Sequence, residues 1–530
     1  MPSRIRTPAA ALVLAASAVA CGDSPSNPNP QCSVSAVSVS GAPQTLIVNG
    51  TAQLTADVTS SNCTTAPTVA WSSSSDAVAG VSATGLVTAH SAGNVTITAT
   101  AGGKSGTTSM EVVSIPVDEV RIEPGQLVLG SGAVMRLVAE AFDAGDNPIP
   151  GLEAEWTSSD ESIAEVDDAG NVTAIMAGES AEITATIGGV SSTIDIHVVR
   201  SRIAYFWNNA ASVAGAIEPD EEYSFNSVGA TNLRERSGAG VYIADFGAEM
   251  SRDDYGTEAM FVSAYDPPSE AAYCRQSSWS SSALNLHCRD KSGTLTDSRW
   301  TAVHVSNGSF QGRWGFGWIP DGSQSVPASS GYSHSSAQGA INSERLGTGQ
   351  YQVTFEGLGR NGQPGAEGVF VNAYAGSGTC QPGGWNADGD DLVVEVWCFK
   401  ANGSPEDVAY TILVLDQPRP GAGLAYALAD QPSTDFYVAT RAAVHPSGSV
   451  QVNREGLGQY RVVFGGFNRS GGLKETFLVT AVGNQPGRCT IGSGGWSYGS
   501  AAGTGTGVYV NCWTTNGEAA DMPFSVIGIK

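Results

Sequence analysis

At 530 residues the chain is long enough for several domains. Its 51 acidic side chains against 26 basic ones leave a net charge of −25, an acidic surface that repels nucleic acid and anionic headgroups, so no nucleic-acid partner is expected. Only 15% of the residues are charged, glycines number 65, and long helical periodicity is absent; short apolar-alternating runs broken by Gly, Asn and Ser predict an all-β chain of tandem β-sandwiches.

In chain order, Arg4 and Arg6 precede an apolar run from Pro8 to Ala20, which together read as a secretory signal over residues 1–20. Ala18-Val19-Ala20-Cys21 resembles a bacterial lipobox, with Ala18 where Leu is usual. The resemblance implies that Cys21 becomes lipidated. Losing Arg4 and Arg6 with the signal takes the net charge from −25 to −27. The polar, proline-rich stretch that follows cannot build a core, so residues 21–32 read as a lipidated Cys and a flexible tether. No other apolar run approaches the ~20 residues of a membrane span, so the membrane is reached through lipid alone. The expected location is the bacterial cell envelope, facing outward.

There are nine cysteines. With Cys21 assigned to lipid, eight group by module as Cys32 with Cys63, Cys274 with Cys288, Cys380 with Cys398, and Cys489 with Cys512. Exported proteins meet oxidising conditions, so disulfides are the default reading. A metal site is the rival, and it lacks both a Cys-x-x-Cys pair and a neighbouring His.

Residues 33–114 and 117–199 form a short repeat. Trp71, Gly85 and Val87-Thr88-Ala89 recur 85 residues later as Trp156, Gly170 and Val172-Thr173-Ala174. Ile97 to Thr100 recurs as Ile183 to Thr186 after a one-residue insertion. Together these motifs resemble bacterial immunoglobulin-like group 2 domains, found in invasin- and intimin-type surface proteins. The resemblance implies a β-sandwich serving as stalk or adhesive unit, with no catalytic residues to carry over. Trp71 and Trp156 are read as core residues. Gly102-Gly103-Lys104-Ser105 has the look of a phosphate loop without its leading glycine, Thr98 standing there, and is read as a hairpin turn.

A longer repeat fills residues 203–309, 312–418 and 422–530. Arg236, Gly238, Gly240, Tyr242 and Phe246 recur as Arg345, Gly347, Gly349, Tyr351 and Phe355, then as Arg454, Gly456, Gly458, Tyr460 and Phe464, each step being 109 residues. A fixed period of this size signals duplicated modules rather than one catalytic domain. Seven or eight strands are expected per copy, with inward-outward alternation in runs such as Met260–Tyr265. Each copy ends with Gly and, four residues on, Asp: Gly293 and Asp297, Gly403 and Asp407, Gly517 and Asp521. The three arginines are read as braces to backbone carbonyls or to these carboxylates.

Six histidines are scattered, none in His-Glu-x-x-His, and no Gly-x-Ser-x-Gly elbow is present, so enzymatic activity and cofactors are not expected. Asn386-Ala387-Asp388-Gly389-Asp390-Asp391 gathers four oxygen-bearing side chains, Asn386, Asp388, Asp390 and Asp391, around a glycine and is a calcium candidate. A solvated hairpin tip is its plainer reading. Trp279, Trp385 and Trp496 lie one within each Cys bracket and are the ligand-binding candidates, as aromatic platforms for a sugar or an extracellular protein. Their structural alternative is to shield their own disulfides. The functional expectation is an adhesion or recognition protein for a glycan or protein ligand on an Ig-like stalk. A passive envelope spacer and a secreted hydrolase are the rivals.

Overall fold

The computed structural model describes residues 31–125, 127–251, 256–265, 272–310, 312–360, 367–416, 423–444, 448–467, 474–498 and 505–530. Cys21 and the leader lie outside the described residues. Strand is the dominant element, and among the described residues no helix is long and apolar enough to cross a membrane. The chain divides into two compact units, residues 1–116 with 149–152, and 117–148 with 153–530.

In the first unit a four-stranded sheet, Thr45–Ile47, Lys104–Val113, Gly93–Ala101 and Ala70–Ser73 in that order, pairs parallel only at its Thr45–Ile47 edge. Alternation along Gly93–Ala101 turns Val95, Ile97, Ala99 and Ala101 inward, the period of two that a half-buried strand requires. The second immunoglobulin-like module repeats this order with Leu127–Gly130, Val190–Val199, Glu179–Ile187 and Glu155–Ser158. Trp71 and Trp156 are half-buried rather than fully internal. A Cβ at Gly85 would meet the Trp71 ring at 2.9 Å, and one at Gly170 the Trp156 ring at 3.1 Å. Each ring thus lies across a turn glycine at the margin of its core. Gly102 and Gly103 form the tight turn between Gly93–Ala101 and Lys104–Val113, so no phosphate loop exists there.

Among the described residues each of the three long repeats is a sandwich of nine strands, four in an inner sheet and five in an outer one. In the second module the inner sheet runs Ser333–Ser335, Arg313–Ile319, Tyr410–Asp416, Glu367–Ala373. Its outer sheet runs Val326–Pro327, Ile341–Gly347, Gln350–Phe355, Asp391–Phe399, Thr379–Asp388. The count exceeds the seven or eight expected because strands as short as Val326–Pro327 carry no readable alternation.

The expected inside-outside alternation is absent from the inner sheets. Glu258–Tyr265, Glu367–Ala373 and Thr476–Ala481 are buried at every residue. One face of each fills its own sandwich, and the other packs on the two neighbouring modules. Phe261, Phe370 and Leu478 meet there with Tyr205, Phe316 and Tyr426 in a core shared by all three repeats. The modules therefore form one body rather than a string of beads.

The joints between modules close a ring. The strand carrying the first Cys of each module runs beside an inner strand of the next. Gln276 bridges Tyr374 in parallel register, Gly483 N–H donates to the Pro382 carbonyl at 2.8 Å, and Ile491 pairs with Tyr265, which returns the third module to the first. Gln276, Pro382 and Ile491 each follow the first Cys by two residues, so the three joints are equivalent under a pseudo-threefold axis.

Four disulfides are present: Cys32–Cys63, Cys274–Cys288, Cys380–Cys398 and Cys489–Cys512. The last three join directly opposed residues of neighbouring antiparallel strands. Each therefore pins a hairpin of an outer sheet.

Candidate functional site

The 109-residue signature is a brace. Arg236 Nε and Nη2 donate to the two oxygens of Asp297 at 2.9 and 2.8 Å. The Gly240 N–H and the Tyr242 hydroxyl add bonds to Oδ1 at 2.9 and 3.0 Å. Arg345, Gly349 and Tyr351 hold Asp407 the same way, and Arg454, Gly458 and Tyr460 hold Asp521. The Gly carbonyl accepts from the second Cys of the module at 2.8 Å in all three, which ties the brace to the disulfide hairpin. Phe246, Phe355 and Phe464 are fully buried behind it.

Burial pushes Asp297 and Asp521 upward, but the arginine, glycine and tyrosine donors outweigh it and hold both below the usual carboxylate value. For Asp407 the Arg345 bond is the leading influence in the same direction. Burial raises the Tyr242 phenol to about 12. These groups are committed to one another, and the arginines are not an open anion site.

The three tryptophans lie on strands rather than at loop tips, and each packs with the core cluster that holds its own disulfide. Trp385 and Trp496 are 2% and 8% exposed, and Trp279 is half-buried. Each is wedged into the joint with the following module. Trp279 meets Trp318, Tyr332 and Tyr374, with ring centroids 5.0–5.7 Å apart. Trp496 meets Trp207, Tyr223 and Tyr265 at 5.7–6.3 Å. At the remaining joint the Arg441 guanidinium lies 4.7 Å from the Trp385 ring centroid and donates to the Trp385 carbonyl at 3.0 Å. Tyr223, Tyr332 and Arg441 are themselves 109 residues apart. That spacing was the available signal for the joint and carries no motif beyond its period. Packing in the joints leaves little of the Trp385 and Trp496 rings open to a ligand, whereas Trp279 keeps part of its ring exposed.

The calcium reading of Asn386–Asp391 is corrected. Asp388 and Asp391 face each other across the two-residue turn Gly389–Asp390. The Asp391 carboxylate accepts the Gly357 N–H at 2.9 Å. Among the described residues no three His, Cys, Asp or Glu side chains could share a metal. The segment is the hairpin tip that was its plainer reading. Asn386 and Asp388 instead line an open polar groove on the outer sheet with Gln352, Glu395 and the apolar Val393.

Two of the described histidines pack against other side chains. His334 lies 4.7 Å from the Trp314 ring centroid, and desolvation drives its pKa down to about 3. His304 and Glu258 are both buried, 3.5 Å apart.

Residues 33–112 and 116–197 each match the bacterial Ig-like domain (group 2) family model. Ice-binding protein 1 of Shewanella frigidimarina is 29% identical over 169 residues, 31% of this chain and 19% of that protein. An uncharacterized protein of Clostridium acetobutylicum is 33% identical over 156 residues, 29% of this chain and 15% of its own length. The match thus spans less than a fifth of each of these relatives. Domains 4 and 5 of the S-layer protein SbsC align at 18% identity and a TM-score of 0.19, over 32% of this chain and 99% of that one. Human protocadherin-24 EC1-2 aligns at 14% identity and a TM-score of 0.15, over 32% and 99%. The N-terminal pair of modules are bacterial Ig-like domains of group 2.

Proposed function

We propose that the chain is a lipid-anchored protein of the bacterial envelope that displays a recognition head, the ring, on Ig-like modules. The observation that supports recognition is the groove built from Gln352, Asn386, Asp388 and Glu395. Amides and carboxylates on a rigid sheet face offer both donors and acceptors, the chemistry that hydroxyl-rich ligands such as glycans require. A disulfide at the base of the same hairpin holds the strands in register, so little ordering is required on binding. The reading assigns the ring no catalytic step and no cofactor.

Glycan-array binding by the full chain tests it. Binding is expected, and Asn386→Ala with Glu395→Ala should abolish it while leaving the melting temperature unchanged. Wild-type chain that captures nothing, or a double variant that binds as well as wild type, would remove the groove from the reading. The second reading, a passive spacer, is favoured by one observation: all three candidate tryptophans pack into joints between modules.

Anchoring is tested separately. Cys21→Ser is expected to move the protein from the membrane fraction to the soluble fraction. Retention in the membrane after that change would refute lipidation.

A further inference from the structure

Where the three modules meet on their pseudo-threefold axis, an interior cavity opens beside the shared core, with Phe370 belonging to both. Equivalent residues of the modules line it in two sets of three: Ser263, Asn372 and Thr480 from the inner strands, and Arg275, Gln381 and Thr490 from the position after each first Cys. Among the described residues the lining holds two arginines, Arg275 and Arg488, and no carboxylate. That composition runs against a chain in which acids outnumber bases 51 to 26.

The three residues after the first Cys show what the joint itself needs. Gln381 reaches into the next module and donates to the Gly483 and Gln485 carbonyls at 2.7 and 2.9 Å. Arg275 makes the equivalent reach with Nη1, to the Ala375 carbonyl. A neutral amide therefore suffices to form this contact, and the charge on Arg275 is surplus to it. Arg275 is only 2% exposed, and its buried Nε–H has no hydrogen-bond partner. The buried Thr490 hydroxyl, which lines the same cavity, has none either. Burial, then the neighbouring Arg289 charge, pulls the Arg275 pKa down to about 10, with Tyr273 and then Glu406 opposing through space. A buried charge with an unfilled donor is strongly disfavoured unless an opposite charge joins it.

We propose that this axial cavity binds a small inorganic anion of halide size, held by Arg275 and Thr490. A halide fits better than an oxyanion because Nη1 is already committed to Ala375, which removes part of the guanidinium fork that planar oxyanions use. The anion would neutralise a positive charge buried in the interior of an acidic protein. It would also couple the first and third modules at the joint that closes the ring.

The test is thermal unfolding of the full chain at constant ionic strength, exchanging sodium gluconate for sodium chloride or bromide. A ligand that binds only the folded state raises the melting temperature with its concentration, here by about 1–3 °C per tenfold rise in halide once the site fills. Arg275→Gln, which copies the residue already found at Gln381, should keep the fold and lose the halide dependence. Thr490→Val is the second variant, for use if Arg275→Gln fails to fold, and it should weaken the dependence. A wild-type melting temperature indifferent to halide would overturn the proposal and leave a cavity filled by water. Equal halide slopes in wild type and in the variants that fold would overturn it as well, since the effect would then belong to the protein surface.

Discussion

Trp385→Ala is expected to destabilise the ring by about 3–5 kcal/mol, the range for removing a large buried aromatic whose surroundings cannot collapse. The side chain is 2% exposed and touches the core of its own module together with Leu428 and Val482 of the next. Its loss opens a cavity on the joint and leaves the half-buried Arg441 guanidinium without its aromatic partner. A single weakened joint should be felt by all three modules, because the ring closes and the core around Phe261, Phe370 and Leu478 is common property. Denaturation of the variant should therefore show one transition moved to lower denaturant, not the early melting of one module. Trp279→Ala should cost less, because Trp279 is half-buried among Trp318, Tyr332 and Tyr374, and those rings can partly fill the gap. A Trp385→Ala protein that unfolds with wild type would show that this ring is not holding the joint.

The residues that repeat by identity were legible as structure, and the residues that repeat only by role were not. Arg236, Gly240, Tyr242 and Asp297 recur unchanged, and the brace they build could be anticipated from their spacing. Cys274 and Cys288 could be paired because each module carries one bracket. The joints are different. Tyr223 and Tyr332 become Arg441, Trp207 and Trp318 become Leu428, and Tyr265 and Tyr374 become Val482, so no motif survives across the three copies. What such positions share is burial between modules, a property of the assembled ring.

A further cue was present and was read as ordinary alternation. Glu367–Ala373 reads Glu-Gly-Val-Phe-Val-Asn-Ala, with apolar residues on both faces, and such runs belong to strands covered on both sides. Two-sided burial in all three copies required something to pack on each inner sheet, and the nearest candidates were the other two copies. The polar groove was hidden for another reason. Asn386, Asp388 and Glu395 come from two strands, and only the register Asn386 to Val393 and Gly384 to Glu395 places them on one face.

Gly349→Ala is expected to be among the most damaging single changes in the second module. Gly349 has φ +66°, and a Cβ there would lie 2.4 Å from the Cys398 carbonyl oxygen and 2.8 Å from the Glu406 nitrogen. Both are backbone atoms, so neither can swing away. Holding alanine in the left-handed conformation costs about 1–2 kcal/mol, and forcing the backbone apart adds about 1–3 kcal/mol. The displacement would also strain two bonds that converge on this residue, Cys398 N–H to its carbonyl at 2.8 Å and its own N–H to Asp407 at 2.8 Å. The brace and the disulfide hairpin would thus loosen together. Gly347→Ala supplies the contrast within the same signature. A Cβ there meets nothing nearer than the flexible end of Gln350 at 3.7 Å, and its backbone lies outside the left-handed region. That variant should melt within about 0.5 kcal/mol of wild type, as ordinary surface changes do. Chemical denaturation of the two variants side by side decides the matter. If Gly349→Ala proves as stable as Gly347→Ala, the close approach of Gly349 to the Cys398 strand is not what the second glycine of the signature serves.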